Sequence, residues 1–449
     1  MAHTLLIALS FVAVVQALPS WSNAEVKQGA TDVAKEYDYI VVGAGTAGTT
    51  VADRLSEDGK HYNNWAKFPG NGGWDWEGLY PYFKKGSALT PPTPTMKEWG
   101  ITYNPAAYAE NGSVVSAYPD FRHATQKVHW KAWFEKENVP VQTEHADGHA
   151  YGLFWIPTSM NPARQYNRSF AGLSHYIKVQ PRKNYHLLTL CRVTKVNFSG
   201  SEKDERKHAV SVETRDRLYN QTGDTSFPKP TTIGSNATYK EEVYSLCKQT
   251  NGGPYTAWVT SSGAFLPPAT FVGEAFDAMV EEIANQKPED FLPNDTPKEL
   301  VLGYQKKKEI LLASFKSKTN AWLEHPISGK GWGMCILLKP FSRGYIKINP
   351  VDPLGDPIFD YRLWSNPIDK KMHVRMQTYI RKHFLESKAF KDLDIVEQDP
   401  IPGAVTDDAG WEDWLLNQNK LMASNGHSVG TAAMMPRELG GVVDDQLRV

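Results

Sequence analysis

The segment from residue 37 to residue 55 constrains the fold more than any other part of the chain. It reads as a strand, a glycine turn and a helix. Residues 39–42 are a run of β-forming residues, apolar enough for a strand that is buried on both faces. After the turn, Ala47, Val51 and Leu55 recur every four residues, which places them on one face of a helix. This order predicts a Rossmann-like β–α unit.

The turn itself has the spacing G-x-G-x-x-G and predicts a phosphate-binding loop. Gly43 allows the tight turn, Gly45 lets the backbone approach a pyrophosphate, and Gly48 lets the helix pack close to the strand. Thr46 and Ala47 complete the loop at the helix N-terminus, where N–H groups and the positive end of the helix dipole face the phosphates. We therefore expect these five residues to bind a dinucleotide.

One part of the dinucleotide signature is missing. The signature places an acidic residue at the end of a second strand, about 20 residues after the turn. Here Lys60 is followed by His-Tyr-Asn-Asn-Trp, with no apolar run for a strand. An ordinary glycine-rich β–α turn is therefore the competing interpretation.

Length and charge limit the class of protein. The 449 residues suffice for a large two-domain enzyme. The formal net charge is −1, which argues against electrostatic binding to nucleic acid or to an anionic membrane. The chain is rich in aromatic residues, which fits either a large core or a pocket for an organic molecule.

The N-terminus predicts entry into the secretory pathway. Residues 5–15 form an apolar run that has signal-peptide length and is too short to span a bilayer. Small residues allow cleavage after Ala17, so we expect residues 1–17 to be a signal peptide. No later segment is long and apolar enough to cross a membrane. Six N-x-S/T sequons fit that compartment, at Asn111, Asn167, Asn197, Asn220, Asn236 and Asn294.

Metal chemistry has little support in the sequence. His145 and His149 lie four residues apart, but Gly148 and Asp147 favour a polar loop over a helix, and no third ligand stands at metal-site spacing. There is no C-x-x-C motif. Three cysteines allow one disulfide and one free thiol, but their spacing does not select the pair among Cys191, Cys247 and Cys335.

Periodicity predicts the remaining elements. We expect helices at residues 76–83, 124–137, 271–286, 298–316, 369–390 and 411–421. Alternation of β-branched and polar residues predicts strands at residues 184–198, 208–213, 335–338 and 344–349. The lysine run at 306–308 is interpreted as a solvated helix face.

Several motifs, taken together, resemble the glucose–methanol–choline (GMC) flavoprotein oxidoreductases. The resemblance is strongest to the secreted fungal members of the aryl-alcohol oxidase, glucose oxidase and versicolorin B synthase types. The motifs run in order over most of the chain: YDYIVVGAGTAG from residue 37, NNW at 63–65 followed by GNGGWDWEGLYPYFKK, NYHLLTLCRVTKV from 184, GPYTAW at 253–258, PFSRGYIKI at 340–348 and NGHSVGT at 425–431.

The resemblance implies an α/β fold, α+β overall. It has an incomplete Rossmann-like FAD-binding domain and a substrate domain built on an antiparallel sheet flanked by helices. The FAD-binding pieces would be residues 36–60, 175–215 and 421–449. The substrate-binding domain and cap would be residues 61–174 and 216–420.

The resemblance also implies the chemistry. FAD would lie with its pyrophosphate on the glycine turn, and an alcohol group of a small organic substrate, aromatic or from secondary metabolism, would lose a hydride to the flavin. His427 matches the position of the family's base, and an imidazole suits that role because its pKa lies near neutrality. Oxygen or another acceptor would reoxidise the flavin.

Three blocks of the family pattern are absent. They are the second strand with its flavin loop, expected between Lys60 and His61, a signature expected after Arg215, and a tail beyond Val449. Two alternatives therefore stay open besides the oxidoreductase: a non-redox cyclase or dehydratase on the same scaffold, and a truncated, inactive remnant.

A hydrolase is the sharpest rival from motif alone, because residues 426–430 also fit G-x-S-x-G. That motif needs a strand before Ser428 and a histidine after it in the chain. Residues 417–425 are not strand-like, and His427 is the last histidine. We therefore reject the hydrolase interpretation.

Overall fold

A computed structural model gives the fold. It describes residues 26–27, 36, 40–42, 76–149, 151–179, 181–182, 184–188, 191–199, 208–216, 241, 244–245, 249, 261–327, 333–353, 355–391, 393, 395–424, 430–444 and 448. The chain divides into two compact units. Unit 1 comprises Met1–His61 and Arg168–Ser235, and unit 2 comprises Tyr62–Asn167 and Asn236–Val449.

The described strands are short, with the exception of one long pair. They are β1 Val26–Lys27, β2 Ser87–Leu89, β3 Val114–Ser116, β4 Gly152–Trp155, β5 Met160–Asn161, β6 Asn167–Arg168, β7 Leu187–Leu188, β8 Cys191–Ser199, β9 His208–Asp216, β10 Ser262–Leu266, β11 Leu323–Ile327, β12 Ile336–Leu337, β13 Tyr345–Lys347 and β14 Ile358–Asp360.

Two long helices dominate the helical part. The α-helices are α1 Trp76–Gly86, α2 Pro94–Glu98, α3 Thr125–Phe134, α4 Ile177–Val179, α5 Pro268–Phe271, α6 Phe276–Asn285, α7 Lys298–Lys316, α8 Pro367–Glu386, α9 Lys388–Lys391 and α10 Asp408–Leu416. A π-helical turn spans Gly172–Tyr176, and 3₁₀ turns span Pro105–Ala107, Pro162–Arg164, Gly273–Ala275, Pro288–Asp290 and Arg437–Leu439.

Unit 2 is built on a four-stranded sheet in the order β12-β11-β10-β4. All of its pairs are antiparallel, with Ser262 opposite Ile327 and Ala264 opposite Leu153. The central strands are almost wholly buried, because helices cover the sheet. The antiparallel sheet flanked by helices, which the family resemblance implied, is therefore confirmed.

Aromatic side chains form much of the core of unit 2. Trp322, Phe315 and Phe341 are at most 1% exposed, and the rings of Phe315 and Phe341 lie 5.2 Å and 5.6 Å from the Trp322 ring, centroid to centroid. Trp130 stacks on Trp155 at 4.6 Å. Each such side chain contributes roughly 2 kcal/mol or more through burial, so aromatic content supports the core here.

Local sequence explains where the helices begin. Asn366 precedes α8, accepts a hydrogen bond from the Ile368 N–H at 3.0 Å, and is followed by Pro367 at the first helical position. Asp407 caps α10 by accepting from the Gly410 N–H at 2.8 Å. Helix α7 has the predicted bounds of 298–316. The other predicted helices are confirmed with ends shifted by a few residues.

Helix α7 and the 3₁₀ turn at Arg437–Leu439 make an unusually close contact. It occurs at Gly303, where an added Cβ would lie 2.1 Å from the carbonyl oxygen of Leu439. A glycine in the middle of a helix normally lowers its stability relative to alanine. Here the missing side chain is what allows the two segments to pack.

In unit 1, the long pair β8–β9 forms an antiparallel hairpin, with Val196 opposite Val212. The predicted strand at 184–198 is thus formed in two pieces, β7 and β8, and the return strand is confirmed and runs on to Asp216. β1 pairs with β7 in parallel.

The strand predicted at residues 39–42 is wrong for the part of it that is described. Residues 40–42 have no strand structure, and Ile40 and Val42 are 52% and 57% exposed. No described strand pairs with them. A run of β-forming residues gains its hydrogen bonds only from a neighbouring strand, and the sequence lacked the second strand of this unit.

Candidate active site

A cavity of about 1700 Å³ lies within unit 2. Its walls come from β12, the β13–β14 pair, α7, α8 and the segment that follows α10. Apolar side chains such as Leu311, Leu337 and Phe359 make up much of its lining, and a few charged groups interrupt it, among them Lys307 and Arg343. A concave, mostly apolar space with few polar groups is the usual form of a small-molecule site.

The wall at residues 340–344 is held by one buried carboxylate. Asp369, in the first turn of α8, is 2% exposed and accepts the backbone N–H groups of Phe341 at 2.8 Å and of Ser342 at 2.7 Å. Burial raises the pKa of this carboxyl, while its hydrogen bonds from Ser342 and Phe341 oppose the rise. The carboxylate therefore fixes the path of the loop.

Arg343 ties together the carbonyl groups of the same loop. Its Nη1 donates to the carbonyl oxygens of Pro340 at 2.6 Å, Ser342 at 2.9 Å and Phe341 at 3.3 Å. Gly344 follows, and a Cβ there would lie 2.2 Å from the carbonyl oxygen of Asp360. Ser342, Arg343 and Gly344 thus form one rigid turn, which leads into β13.

His427 itself lies outside the described residues, as do residues 425–429 around it. The chain on both sides of it is described, and Ser424 and Gly430 both line the cavity. The two ends of the segment that carries His427 therefore open onto the same cavity.

The five cofactor-binding residues predicted at the glycine turn also lie outside the described residues: Gly43, Gly45, Thr46, Ala47 and Gly48. Their role stays a prediction. The same holds for the division into FAD-binding and substrate domains, in which residues 421–449 were assigned to the FAD-binding pieces. In the structure these residues are part of unit 2.

The loop with His145 and His149 is polar, as predicted. His145 Nδ1 lies 3.0 Å from Glu144, and His149 Nδ1 lies 3.1 Å from Asp147. Within the described ranges, no group of three metal-ligating side chains is close enough to hold a metal ion. The carboxylate of Glu144 is buried and acts as a structural acceptor: Tyr108 donates its hydroxyl to it at 3.0 Å.

Sequence reasoning missed a group of three buried histidines: His129 on α3, His325 on β11 and His383 on α8. Their exposed fractions are 3%, 0% and 0%. His383 stacks on Trp133 at 4.0 Å, and the His325 and His383 rings are 6.4 Å apart. His325 Nδ1 lies 2.8 Å from the Met334 carbonyl oxygen and donates to it. The one sequence signal was that His129 shares a helix face with Trp133, four residues later.

The lysine run at 306–308 is not a uniformly solvated face, so that interpretation was wrong for two of its three members. Lys306 is exposed and pairs with Glu309 at 3.3 Å. Lys308 is 5% exposed and donates to the carbonyl oxygen of Gln286 at 2.6 Å, at the C-terminus of α6. Lys307 lines the cavity. Consecutive helical residues point 100° apart, so a run of three meets three environments.

The antiparallel sheet of unit 2 and the cavity beside it form an arrangement that suits a small organic ligand. Residues 340–449, which include the loop held by Asp369, helix α8 and both flanks of His427, match the family described as GMC oxidoreductase. In this segment the chain resembles the C-terminal domain of the GMC oxidoreductases.

Similarity to individual proteins extends over nearly the whole chain. A dehydrogenase of Emericella nidulans, xptC, is 27% identical over 86% of this chain and 71% of its own length. Glucose oxidase of Penicillium chrysogenum is 24% identical over 91% of this chain and 74% of its own length.

Solved structures show the same fold. A fungal aryl-alcohol oxidase aligns with a TM-score of 0.77 at 23% identity, covering 93% of both chains. An FAD-dependent oxidoreductase from Chaetomium thermophilum aligns with a TM-score of 0.75 at 23% identity, covering 92% of this chain and 78% of its own. The α/β fold implied by the sequence resemblance is therefore confirmed.

Proposed function

We propose that the protein is an FAD-dependent oxidoreductase that oxidises an alcohol group of a small organic substrate, aromatic or from secondary metabolism. Oxygen or another acceptor would regenerate the oxidised flavin. One observation carries the proposal: the segment bearing His427 opens at both ends, Ser424 and Gly430, onto a largely apolar cavity that is lined in part by the residues matching the family, 340–449. Similarity to a dehydrogenase, a glucose oxidase and an aryl-alcohol oxidase supports the same reaction class.

FAD, when bound, would supply the hydride acceptor. Gly43, Gly45 and Gly48 would allow the backbone to approach its pyrophosphate, and the N–H groups around Thr46 and Ala47 would bind the phosphate oxygens.

The reaction needs a group that removes the hydroxyl proton as the carbinol carbon loses its hydride. A neutral imidazole at His427 would accept that proton, because its pKa near neutrality allows it to be unprotonated before the reaction and protonated after it. The apolar walls of the cavity would exclude water and hold the organic body of the substrate.

The test starts with the colour of the purified chain. A flavoprotein of this type should absorb near ~450 nm, and an oxidisable alcohol added without oxygen should bleach that band. Replacing His427 with Ala should slow the bleaching by roughly 10²–10⁴-fold and leave the flavin band in place. A matched control is His149→Ala, which changes an exposed histidine of the 144–149 loop and should leave the rate unchanged.

Other outcomes would favour the alternatives. A yellow protein that cyclises or dehydrates its substrate without bleaching would be a non-redox enzyme on the same scaffold. A folded, colourless protein that turns over no alcohol would be the inactive remnant. Equal bleaching rates in His427→Ala and wild type would refute the role of His427 and leave the reaction class intact.

We further propose that the protein passes through the secretory pathway, with residues 1–17 removed. Three of the sequon asparagines, Asn111, Asn167 and Asn294, are exposed and could accept a glycan. No helix in the described part of the chain has the length and apolar character to cross a bilayer. Mass spectrometry of the secreted protein before and after removal of N-glycans tests this; an intact N-terminus without glycan mass would refute it.

A further inference from the structure

Helix α7 presents one charged residue to the cavity. The Tyr304 hydroxyl accepts a hydrogen bond from Asn366 Nδ2 at 3.0 Å, so this face of α7 lies against the segment before α8. Lys307 and Leu311 follow at positions three and seven on the same helix face. Both of them line the cavity.

In the described part of the chain, Lys307 is paired with no acidic side chain. Among the residues that the structure describes, none forms a hydrogen bond or an ion pair with its ammonium group, whereas Lys306 pairs with Glu309 and Lys308 caps α6. Burial lowers the pKa of Lys307, and the charge of Arg343 lowers it further. The ammonium group is thus partly desolvated and faces a second cation.

Arg343 has nitrogen donors that its own loop does not use. Its Nη1 is used on the carbonyl oxygens of its own loop, but Nε and Nη2 form no hydrogen bond to any residue in the described part of the chain. The charge of Asp369 acts on Arg343, but its oxygens accept hydrogen bonds from the backbone N–H groups of Phe341 and Ser342. Two cations therefore line the same cavity, and the charge of one acts on the other.

Lys339, the third basic residue of this wall, differs because its ammonium group has a backbone partner. Lys339 also lines the cavity, but its Nζ donates to the carbonyl oxygen of Ala321, two residues before β11. Its charge is held by the protein's own backbone. The available positive charge is therefore that of Lys307 and Arg343.

We propose that Lys307 and Arg343 form an anion subsite that binds the carboxylate of an organic substrate whose apolar body lies along Leu311 and the neighbouring wall. The guanidinium supplies directed donors, the ammonium supplies charge, and a bound carboxylate offsets the cost of holding two cations out of water. The inference rests on the proposed function, because it names the substrate class of that same cavity.

Binding of benzoate to the purified full-length chain tests the subsite without any turnover. Isothermal titration calorimetry would compare benzoate with benzamide, its neutral counterpart, and with inorganic phosphate, which has no apolar body. Benzoate should bind, and it should bind at least about tenfold more tightly than either comparison, as expected for a charge-assisted hydrogen bond in a partly apolar site.

The variants are chosen from the lysine run. Lys307→Met should weaken benzoate binding by about tenfold or more, Lys307→Arg should retain it, and Lys306→Met, one residue away on the exposed face, should leave it within about twofold of wild type. A thermal melt of each variant checks folding, and Lys307→Met should melt no lower than wild type because it removes a desolvated charge.

Several results would overturn the subsite. They are absence of benzoate binding to wild type, equal affinity for benzoate and benzamide, or equal losses in Lys307→Met and Lys306→Met. Tighter binding of phosphate than of benzoate would also refute an apolar carboxylate ligand. A chain that binds benzoate but never reduces a flavin refutes only the proposed function, and a chain that oxidises neutral alcohols but is indifferent to benzoate refutes only the subsite.

Discussion

The three buried histidines should make the stability of unit 2 depend steeply on pH. Burial lowers the pKa of His129 to about 3, of His325 to about 4 and of His383 to about 2. Charge repulsion between the imidazoles adds to the effect for His129 and His383. Neither ring nitrogen of His383 has a hydrogen-bond partner among the residues that the structure describes. The folded protein therefore keeps all three imidazoles neutral.

An unfolded chain has no such restriction, and its histidines protonate near pH 6.5. Below that pH the unfolded state binds protons that the folded state does not, so the free energy of unfolding falls as the pH falls from about 6.5 toward the folded pKa values. At pH 5 each histidine costs about 2 kcal/mol, and the three together cost about 6 kcal/mol. That is comparable with the whole stability of a typical domain, about 5–15 kcal/mol.

Denaturant titrations at pH 7.5 and pH 5.0, followed by tryptophan fluorescence, measure this loss. His383→Phe removes one of the three titrating groups and keeps a ring of similar size against Trp133 and Phe390. The variant should lose about 2 kcal/mol less than wild type between the two pH values. Any packing change made by the larger ring acts at both pH values and cancels in that difference.

His149→Phe is the matched control, because that side chain is 66% exposed. It should show the wild-type pH dependence. If His383→Phe loses as much stability as wild type between pH 7.5 and pH 5.0, to within about 0.5 kcal/mol, the imidazole of His383 is not the neutral, buried group that the structure indicates.

Two further changes test the packing and the electrostatics of unit 2. Helix propensity alone would make Gly303→Ala stabilising by about 1 kcal/mol, but the change should destabilise the protein by about 2 kcal/mol or more because the added Cβ would meet the Leu439 carbonyl. Gly86→Ala, at an open position, is the control. A higher melting temperature for Gly303→Ala would contradict the close contact. Burial raises the pKa of the Glu144 carboxyl, but hydrogen bonds to it, including one from the Asn104 N–H, outweigh this effect and hold the pKa at about 2. Glu144→Gln should therefore lower the free energy of unfolding at pH 7 by about 1–3 kcal/mol, measured by urea denaturation. The wild-type contribution is present above pH 4.5 and is lost as the pH falls toward 2, so an unchanged stability in the variant at pH 7 would contradict it.

Local periodicity was sufficient for most helices and for the long hairpin. Helix α7 and the pair β8–β9 are each nine or more residues long, so the pattern of residue types that favours a helix or a strand repeats several times within one sequence. Short strands such as β12 and β13 were found only roughly, because two or three residues carry almost no period. Residues 40–42 have the composition of a strand, but a strand also needs a neighbour, which local composition does not supply.

The candidate site was predictable only in part. His427 was found by a motif, and its flanks do line the cavity. The histidine cluster was not found, since His129, His325 and His383 come from three elements that only the tertiary fold brings together. The environment of Lys307 was predicted wrongly for a related reason. A run of lysines is typical of a solvated helix face, and only the packing of α7 shows which of the three lysines faces the cavity.

Helix α8 connects the anion subsite proposed at Lys307 and Arg343 with the group of three buried histidines. Its first turn carries Asp369, which holds the loop that positions Arg343, and its last turn carries His383, which must stay neutral for the helix to remain packed. The helix is one continuous element, so the two ends are expected to be lost together when the core is protonated. Anion binding at Lys307 and Arg343 should therefore weaken together with stability as the pH falls from about 6.5 toward 5, although the ligand's carboxylate and both cations keep their charges there.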